Sequence, residues 1–228
     1  FGHLKEGETM DFSTSFTSVS GSVVNVLAMK SHTEAVSSGT GTIIGNGERV
    51  LTCAHCVVKN TTPVARFAGQ SKCTPASVEH IDNSSDLAVL KFASPLGPPA
   101  SLRSSATLSI GNEAFVVGFP SNINQLTLLS AHIAGFEPAT GFSLVRIDSS
   151  VNHGNSGGPL FNSAGELVGV VNAKHGSLSG FLNAVQAAKP VAMIQIGGID
   201  PVEVIQQLIR EMKVNLNLGI GYAIPIDH

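Results

Sequence analysis

The chain has 228 residues, 43% hydrophobic and 13% charged, which suffices to bury one large core or two small ones and excludes a disordered chain. A formal net charge of −3 and a pI near 6.2 leave no basic field for gripping phosphates, so nucleic acid is excluded as an expected partner. The longest uncharged apolar stretch toward the C-terminus, PVAMIQIGGI, falls far short of the roughly 20 residues needed to cross a bilayer, so no membrane span is expected.

Residues 1–21 form an N-terminal segment whose opening, FGHLKEGETM, lacks a basic stretch followed by an apolar run. No signal peptide is therefore expected within this chain. From there onward, short runs rich in Val, Ile, Leu, Thr and Phe recur between Gly, Pro, Asn and Ser, the pattern of an all-β sandwich or barrel. Six such runs, SVVNVLAM, GTGTIIG, RVLTCAH, VARFA, TPASVEHID and DLAVLKF, define a first unit at 22–93, with Asn46-Gly47 as a hairpin turn. The Pro- and Ser-rich stretch ASPLGPPASLRSSA opens a linker assigned to 94–113.

Six further runs, AFVVGFP, QLTLLSAHIAGFE, FSLVRIDSS, PLFN, LVGVVNAK and IGYAIP, define a second unit at 114–228. Six plus six predicts two similar antiparallel barrels packed together. Only DPVEVIQQLIREM reads clearly as a helix: Asp200 caps, Pro201 starts it, Glu203 closes a capping box, and Val202, Ile205, Leu208, Ile209 and Met212 form an apolar stripe expected to dock on the body.

Hydrolysing an amide with a serine requires a base, an acid to orient that base, and donors for the oxyanion. His55 closes the strand run RVLTCAH, where its ring can project into a groove at the barrel edge. Asp86 opens the apolar run DLAVLKF, where desolvation strengthens a bond to an imidazole, while Asp82, in the polar loop DNSSD, is its rival. In VNHGNSGGPL, glycines around Ser156 let the backbone turn until the N–H groups of Gly154 and Ser156 converge beside the hydroxyl. A glycine-rich loop with one serine can equally be a plain turn; it is the combination with His55 and Asp86 from the other unit that singles it out.

LTCAH, SSDLAVL and HGNSGGPL, in the order His, Asp, Ser, resemble the chymotrypsin-fold serine peptidases over residues 22–175 and 219–226. GTGTII, SDLAVLK, IDSSVNHGNSGGPLFNSAGELVGVVN and GIGYAIP resemble the HtrA or Deg-type branch in particular. The resemblance implies two packed six-stranded antiparallel barrels, with His55 as general base, Asp86 as its orienter and Ser156 as nucleophile. It implies an oxyanion loop of Gly154, Asn155 and Ser156, and a substrate cleft lined by Ser150, His153, Asn172, Ala173, Lys174 and Ile220. Protein or peptide substrates follow, with no cofactor and no metal. An extracytoplasmic or organellar address is favoured. Trimers built by N-terminal segments are common in the branch, which makes Phe12 and Phe16 candidate contacts of a homo-oligomer.

Departures from the pattern refine this. Digestive members carry Asp immediately before the serine, paired with a new N-terminus after zymogen cleavage; Asn155 stands here and offers a buried ammonium no ion pair, so control is expected to act through loop order. Ser150 on the pocket floor gives no partner for Arg or Lys, and branched Ile220 on its wall should narrow it, predicting small or medium aliphatic residues before the scissile bond. Counting back fifteen from His55 reaches Thr40, so the disulfide that Cys56 makes in secreted relatives is absent. Residues 175–218 form a helix-containing insertion beside the pocket, and the chain ends at His228 without room for the branch's PDZ module. Two other function classes compete: a trypsin-fold binding or scaffolding protein with its site at rest, and a zinc-held structural protein using Cys53, Cys56, Cys73 and His55.

Overall fold

A computed structural model describes residues 11–120, 123–173, 204–208 and 219–228. After a helix, α1 (Ser13–Val19), come β1 (Val23–Met29), β2 (Ala35–Ile44), β3 (Arg49–Cys53), β4 (Thr62–Arg66), β5 (Thr74–Pro75), β6 (Ser77–Asp82) and β7 (Leu87–Lys91). These seven form one antiparallel sheet in the order β5-β4-β1-β2-β3-β7-β6. The second half contributes β8 (Glu113–Gly118), β9 (Thr127–Ala139), β10 (Phe142–Ile147), β11 (Pro159–Asn162), β12 (Leu167–Val171) and β13 (Gly221–Pro225). They close into a six-stranded barrel in the order β10-β13-β12-β11-β8-β9.

The fold is thus the expected all-β pair of units, with one difference in the first. The single run TPASVEHID divides at Ala76, where the chain turns a corner: Pro75 pairs with Val64 on β4, whereas Ser77 pairs with Lys91 on β7. The two edges of this half-barrel are consecutive in the chain, yet no ladder joins β5 to β6 among the described residues. Pro75 explains the short edge, because a proline has no N–H to extend a ladder. The expected hairpin between β2 and β3 is present, with Gly47 at φ 89° and the Asn46 carboxamide oxygen accepting from the Glu48 N–H at 3.3 Å.

Alternating β-branched residues put separate cores in the two halves, Val24, Val26, Ile43, Val50, Leu90 and Phe92 in the first and Val116, Ile133, Val145, Ile147, Leu160 and Val168 among those of the second. A small cluster of Leu51, Cys53, Cys56 and Val170 packs β3 against β12 and joins the halves. The N-terminal segment crosses over to the second barrel: the Phe12 ring lies 4.9 Å from Phe115, which lies 5.3 Å from Phe161. This corrects the expectation that Phe12 is offered to a second copy, since its ring is buried in its own chain's core.

Residues 204–208 are helical, as the sequence predicts, while Asp200–Glu203, Ile209 and Met212 lie outside the described residues. Ile205 and Leu208 are 50% and 56% exposed, so neither docks on the body as expected. No helix among the described residues is long and apolar enough to cross a membrane.

The last strand is tied to the linker by one carboxylate. Asp227 Oδ2 accepts from Ser105 Oγ at 2.6 Å, Ser105 N–H at 2.7 Å and Ser104 Oγ at 3.0 Å. The Ser105 hydroxyl, foremost, holds this carboxyl below the usual carboxylate range. A depressed folded-state pKa contributes stability above the ordinary carboxylate range and loses it as pH falls through the folded value. Urea midpoints taken from about pH 5 down to about pH 2 should therefore fall less steeply for Asp227→Asn than for the unaltered protein.

Candidate active site

The register of β3 with β7 brings two sequence-distant residues together. Cys53 pairs with Leu87 at the ends of these strands, so the residues just beyond, in the single turn Ala54–Cys56 and at Asp86, are neighbours. The Asp86 carbonyl accepts from the Ala54 N–H at 2.9 Å. Its carboxylate then takes both groups of His55: Oδ1 accepts the backbone N–H at 2.9 Å, and Oδ2 lies 2.6 Å from the ring Nδ1. Asp86 does this at φ 59°, a left-handed conformation that a non-glycine residue rarely holds without compensating bonds. A third donor, Asn172 Nδ2, reaches Oδ2 at 2.9 Å from the end of β12.

Asp82, the rival acid, is occupied elsewhere. Its carboxylate accepts from Ser84 Oγ, Ser85 Oγ and the Ser84 N–H at 2.6 to 2.8 Å, and these hydroxyls, Ser84 foremost, hold it well below the usual carboxylate range. It caps a turn.

The serine loop comes from the other half and is pinned from the first. Thr40, wholly buried on β2, donates its hydroxyl to the Gly154 carbonyl at 2.6 Å, and its N–H to the Ser156 carbonyl at 2.8 Å. The same hydroxyl accepts from the Phe119 N–H at 3.0 Å, and the Thr40 carbonyl accepts from Thr52 Oγ1 at 2.7 Å. Within the second half, the Asn155 N–H donates to the Asn152 carbonyl at 3.0 Å, and the Gly157 N–H to the Val171 carbonyl at 2.8 Å. Gly154 and Gly157 make the loop's bends at φ 94° and 82°. Within residues 154–158, these bonds and that of the Gly158 N–H to the Asn155 carbonyl leave the Gly154 and Ser156 N–H groups unengaged.

Ser156 is 5% exposed, and its Oγ accepts from the Ala173 N–H at 3.3 Å. Among the described residues no hydrogen bond joins it to His55, whose side chain is 19% exposed. Such contacts are commonly long before substrate arrives. Asn155 is buried with neither side-chain heteroatom hydrogen-bonded, its Oδ1 resting where a side chain on Gly118 would begin, 2.7 Å away.

Of the residues assigned to the cleft, Asn172 directs its amide to Asp86 and Ala173 directs its N–H to Ser156. Ser150, His153 and Ile220 are exposed, and Lys174 lies outside the described residues. Thr40 and the Asn172 amide bond were missed by sequence reading, although Thr40 lies in the quoted run GTGTII.

None of the three cysteines forms a disulfide. A bridge to Cys56 is indeed absent, but the position facing it is not Thr40. A side chain grown on Gly39 would begin 2.5 Å from Cys56 Sγ and 3.3 Å from its Cβ. Cys73 sits on the first half beside Met29, Thr62 and Val64, and the competing arrangement of three thiols around His55 is not assembled. Among the described residues the one grouping of metal-ligating side chains is Cys53, His55 and Asp86.

Comparison with known proteins shows the family and the fold. Residues 39–170 match the family described as trypsin-like peptidase domain. A probable periplasmic serine endoprotease DegP-like from Chlamydia pneumoniae is 31% identical over 199 residues, 83% of this chain and 38% of the relative. The chloroplastic Protease Do-like 1 of Arabidopsis thaliana is 31% identical over 197 residues, 82% of this chain and 43% of its own. The solved structure of the HtrA-type protease AlgW with tripeptide has the same fold, with a TM-score of 0.68 at 21% identity, covering 95% of this chain and 60% of that one. The chain belongs to the trypsin-like peptidase family, and it spans less than half the length of these two curated relatives.

Thr40→Val keeps the shape but leaves the buried Gly154 carbonyl and Phe119 N–H unsatisfied. It should cost about 1–3 kcal/mol in urea unfolding. Gly39→Cys should bridge to Cys56, since the 3.3 Å Cβ separation needs to open by only a few tenths of an ångström to reach the usual spacing of about 3.5–4.5 Å. Thiol titration and the mass of the oxidised protein will show whether it does.

Proposed function

We propose that the chain is a serine endopeptidase in which Ser156 is the nucleophile, His55 the general base and Asp86 the residue that orients it. The observation that carries this reading is the pair of hydrogen bonds that one carboxylate accepts from the ring and backbone of His55, beside a serine loop that leaves the Gly154 and Ser156 N–H groups unengaged. With Asp86 accepting Nδ1–H, Nε2 retains its lone pair and takes the Ser156 proton as Oγ bonds to the peptide carbonyl carbon. The carbonyl electron pair moves onto oxygen, where the Gly154 and Ser156 N–H groups stabilise it. Collapse breaks the C–N bond as Nε2 returns the proton to the departing amine, leaving an acyl-enzyme. Water, deprotonated by the same nitrogen, then releases the acid and restores Ser156.

The relatives named as serine endoproteases support this activity, and the segments 22–93 and 114–228 supply its two halves, with 94–113 between them. Ser150 and Ile220 line the primary pocket in this reading, and small or medium aliphatic residues are the preferred residues before the scissile bond. A second reading, a resting trypsin-fold binding protein, draws on the Ser156 hydroxyl being held by Ala173 and not by His55.

A fluorophosphonate probe separates the two. The peptidase reading expects labelling that vanishes in Ser156→Ala, and Asp86→Asn should lower kcat by about 10⁴ while the fold persists. Absence of labelling at any pH supports the binding protein instead. Mapping cuts in an unfolded protein tests specificity, and dominant cleavage after Arg would overturn the aliphatic preference.

A further inference from the structure

Cys53 brings a thiol to the His55–Asp86 pair that the reaction just described does not use. It ends β3, is wholly buried among Leu51, Cys56 and Val170, and donates weakly to the Val171 carbonyl at 3.4 Å. One ligand atom from each of Cys53, His55 and Asp86 lies within 4.8 Å of the others. A thiol, an imidazole and a carboxylate are the donors that a thiophilic divalent cation selects, at about 2.3 Å for sulfur and about 2.0–2.2 Å for nitrogen and oxygen. Tetrahedral geometry at those lengths needs donors about 3.5 Å apart, so the widest pair must close by up to about 1.3 Å and the Nδ1–Oδ2 pair, now 2.6 Å apart, must open by about 0.9 Å as the proton between them leaves.

We infer that Cys53, His55 and Asp86 form an inhibitory site for a divalent cation of the zinc class. The cation bonds to Cys53 Sγ, His55 Nδ1 and Asp86 Oδ2, taking the place of the proton between the last two. The thiol proton leaves to solvent, and the imidazole proton passes by way of solvent from Nδ1 to Nε2, so one proton is released per cation bound. Thiolate and carboxylate together neutralise the dication, which suits a site buried on its Cys53 side. Asp86 keeps its Oδ1 bond to the His55 N–H, and the Asn172 amide, already on Oδ2, steadies the ligating oxygen. The His55 and Asp86 side chains, 19% and 20% exposed, leave the entry side open. Inhibition follows from the tautomer: with Nδ1 on the metal and Nε2 protonated, the ring has no lone pair for the Ser156 proton.

The inhibition arm rests on the peptidase reading; the binding arm does not. Zinc(II) should inhibit peptide hydrolysis reversibly, with chelator restoring the rate. Cys53→Ala and Cys53→Ser, each compared with its own metal-free rate, should be at least about 10-fold less sensitive, and Cys73→Ala should match the unaltered protein. Cobalt(II) added to the apoprotein should give a near-ultraviolet thiolate-to-metal charge-transfer band. That band should persist in Ser156→Ala and Cys56→Ala and vanish in Cys53→Ala. Cobalt binding without the band overturns the site, as does unchanged zinc sensitivity in a folded Cys53 variant. Should both Cys53 variants fail to fold, the band in Cys56→Ala and Cys73→Ala still decides whether Cys53 is the ligand. Loss of hydrolysis alone, with the band intact, would count against the peptidase reading and not against the metal.

Discussion

The arrangement hangs on Thr40. Its side chain and backbone N–H reach from the first half into the second, fixing the carbonyls of Gly154 and Ser156. Those two bonds orient the peptide groups on alternate sides of the serine loop, and the Asn155 and Gly157 N–H groups complete the pinning from within their own half. What is left over is geometrically dictated: once these peptides are fixed, the Gly154 and Ser156 N–H groups stand unengaged without any side chain being assigned to hold them there. A loop rich in glycine, which has the most backbone freedom to lose, needs such external restraint to keep one conformation.

The acid–base pair is a product of strand register in the same way. Antiparallel pairing of β3 with β7 sets Cys53 opposite Leu87, and two steps beyond Cys53 and one before Leu87 bring His55 to Asp86. A slip by one residue would reverse the faces of every side chain on the strand. The left-handed backbone of Asp86 is strain placed where three donors, the His55 N–H, the His55 ring and the Asn172 amide, together repay it.

Much of this was legible in the sequence because it is locally encoded. His55, Asp86 and Ser156 each sit in a contiguous segment with its own signature: a strand ending in His, an apolar run opened by Asp, a serine among glycines. The barrel pattern followed from period and punctuation. What escaped reading depends on contacts between segments distant in the chain. Thr40 looked like any strand residue, Asn172 like a cleft residue and Gly39 like a spacer, and only the packed fold shows that Thr40 meets Gly154, Asn172 meets Asp86 and Gly39 faces Cys56. The corner at Ala76 merged two strands into one apparent run because a strand that changes sheet edge without a loop leaves no turn residues behind. Phe12, apparently free in a short N-terminal segment, proved to be part of the second half's core.

Cys56 faces a bare Gly39 and forms no disulfide. Nothing covalent among the described residues staples the histidine turn to the strand that carries Thr40, so the pieces of the site are held in register by packing and hydrogen bonds alone. In the proposed reading, a molecule whose halves begin to part separates its serine loop from the His55–Asp86 pair and loses the Thr40 bonds that hold that loop. Inactivation and the parting of the halves then coincide.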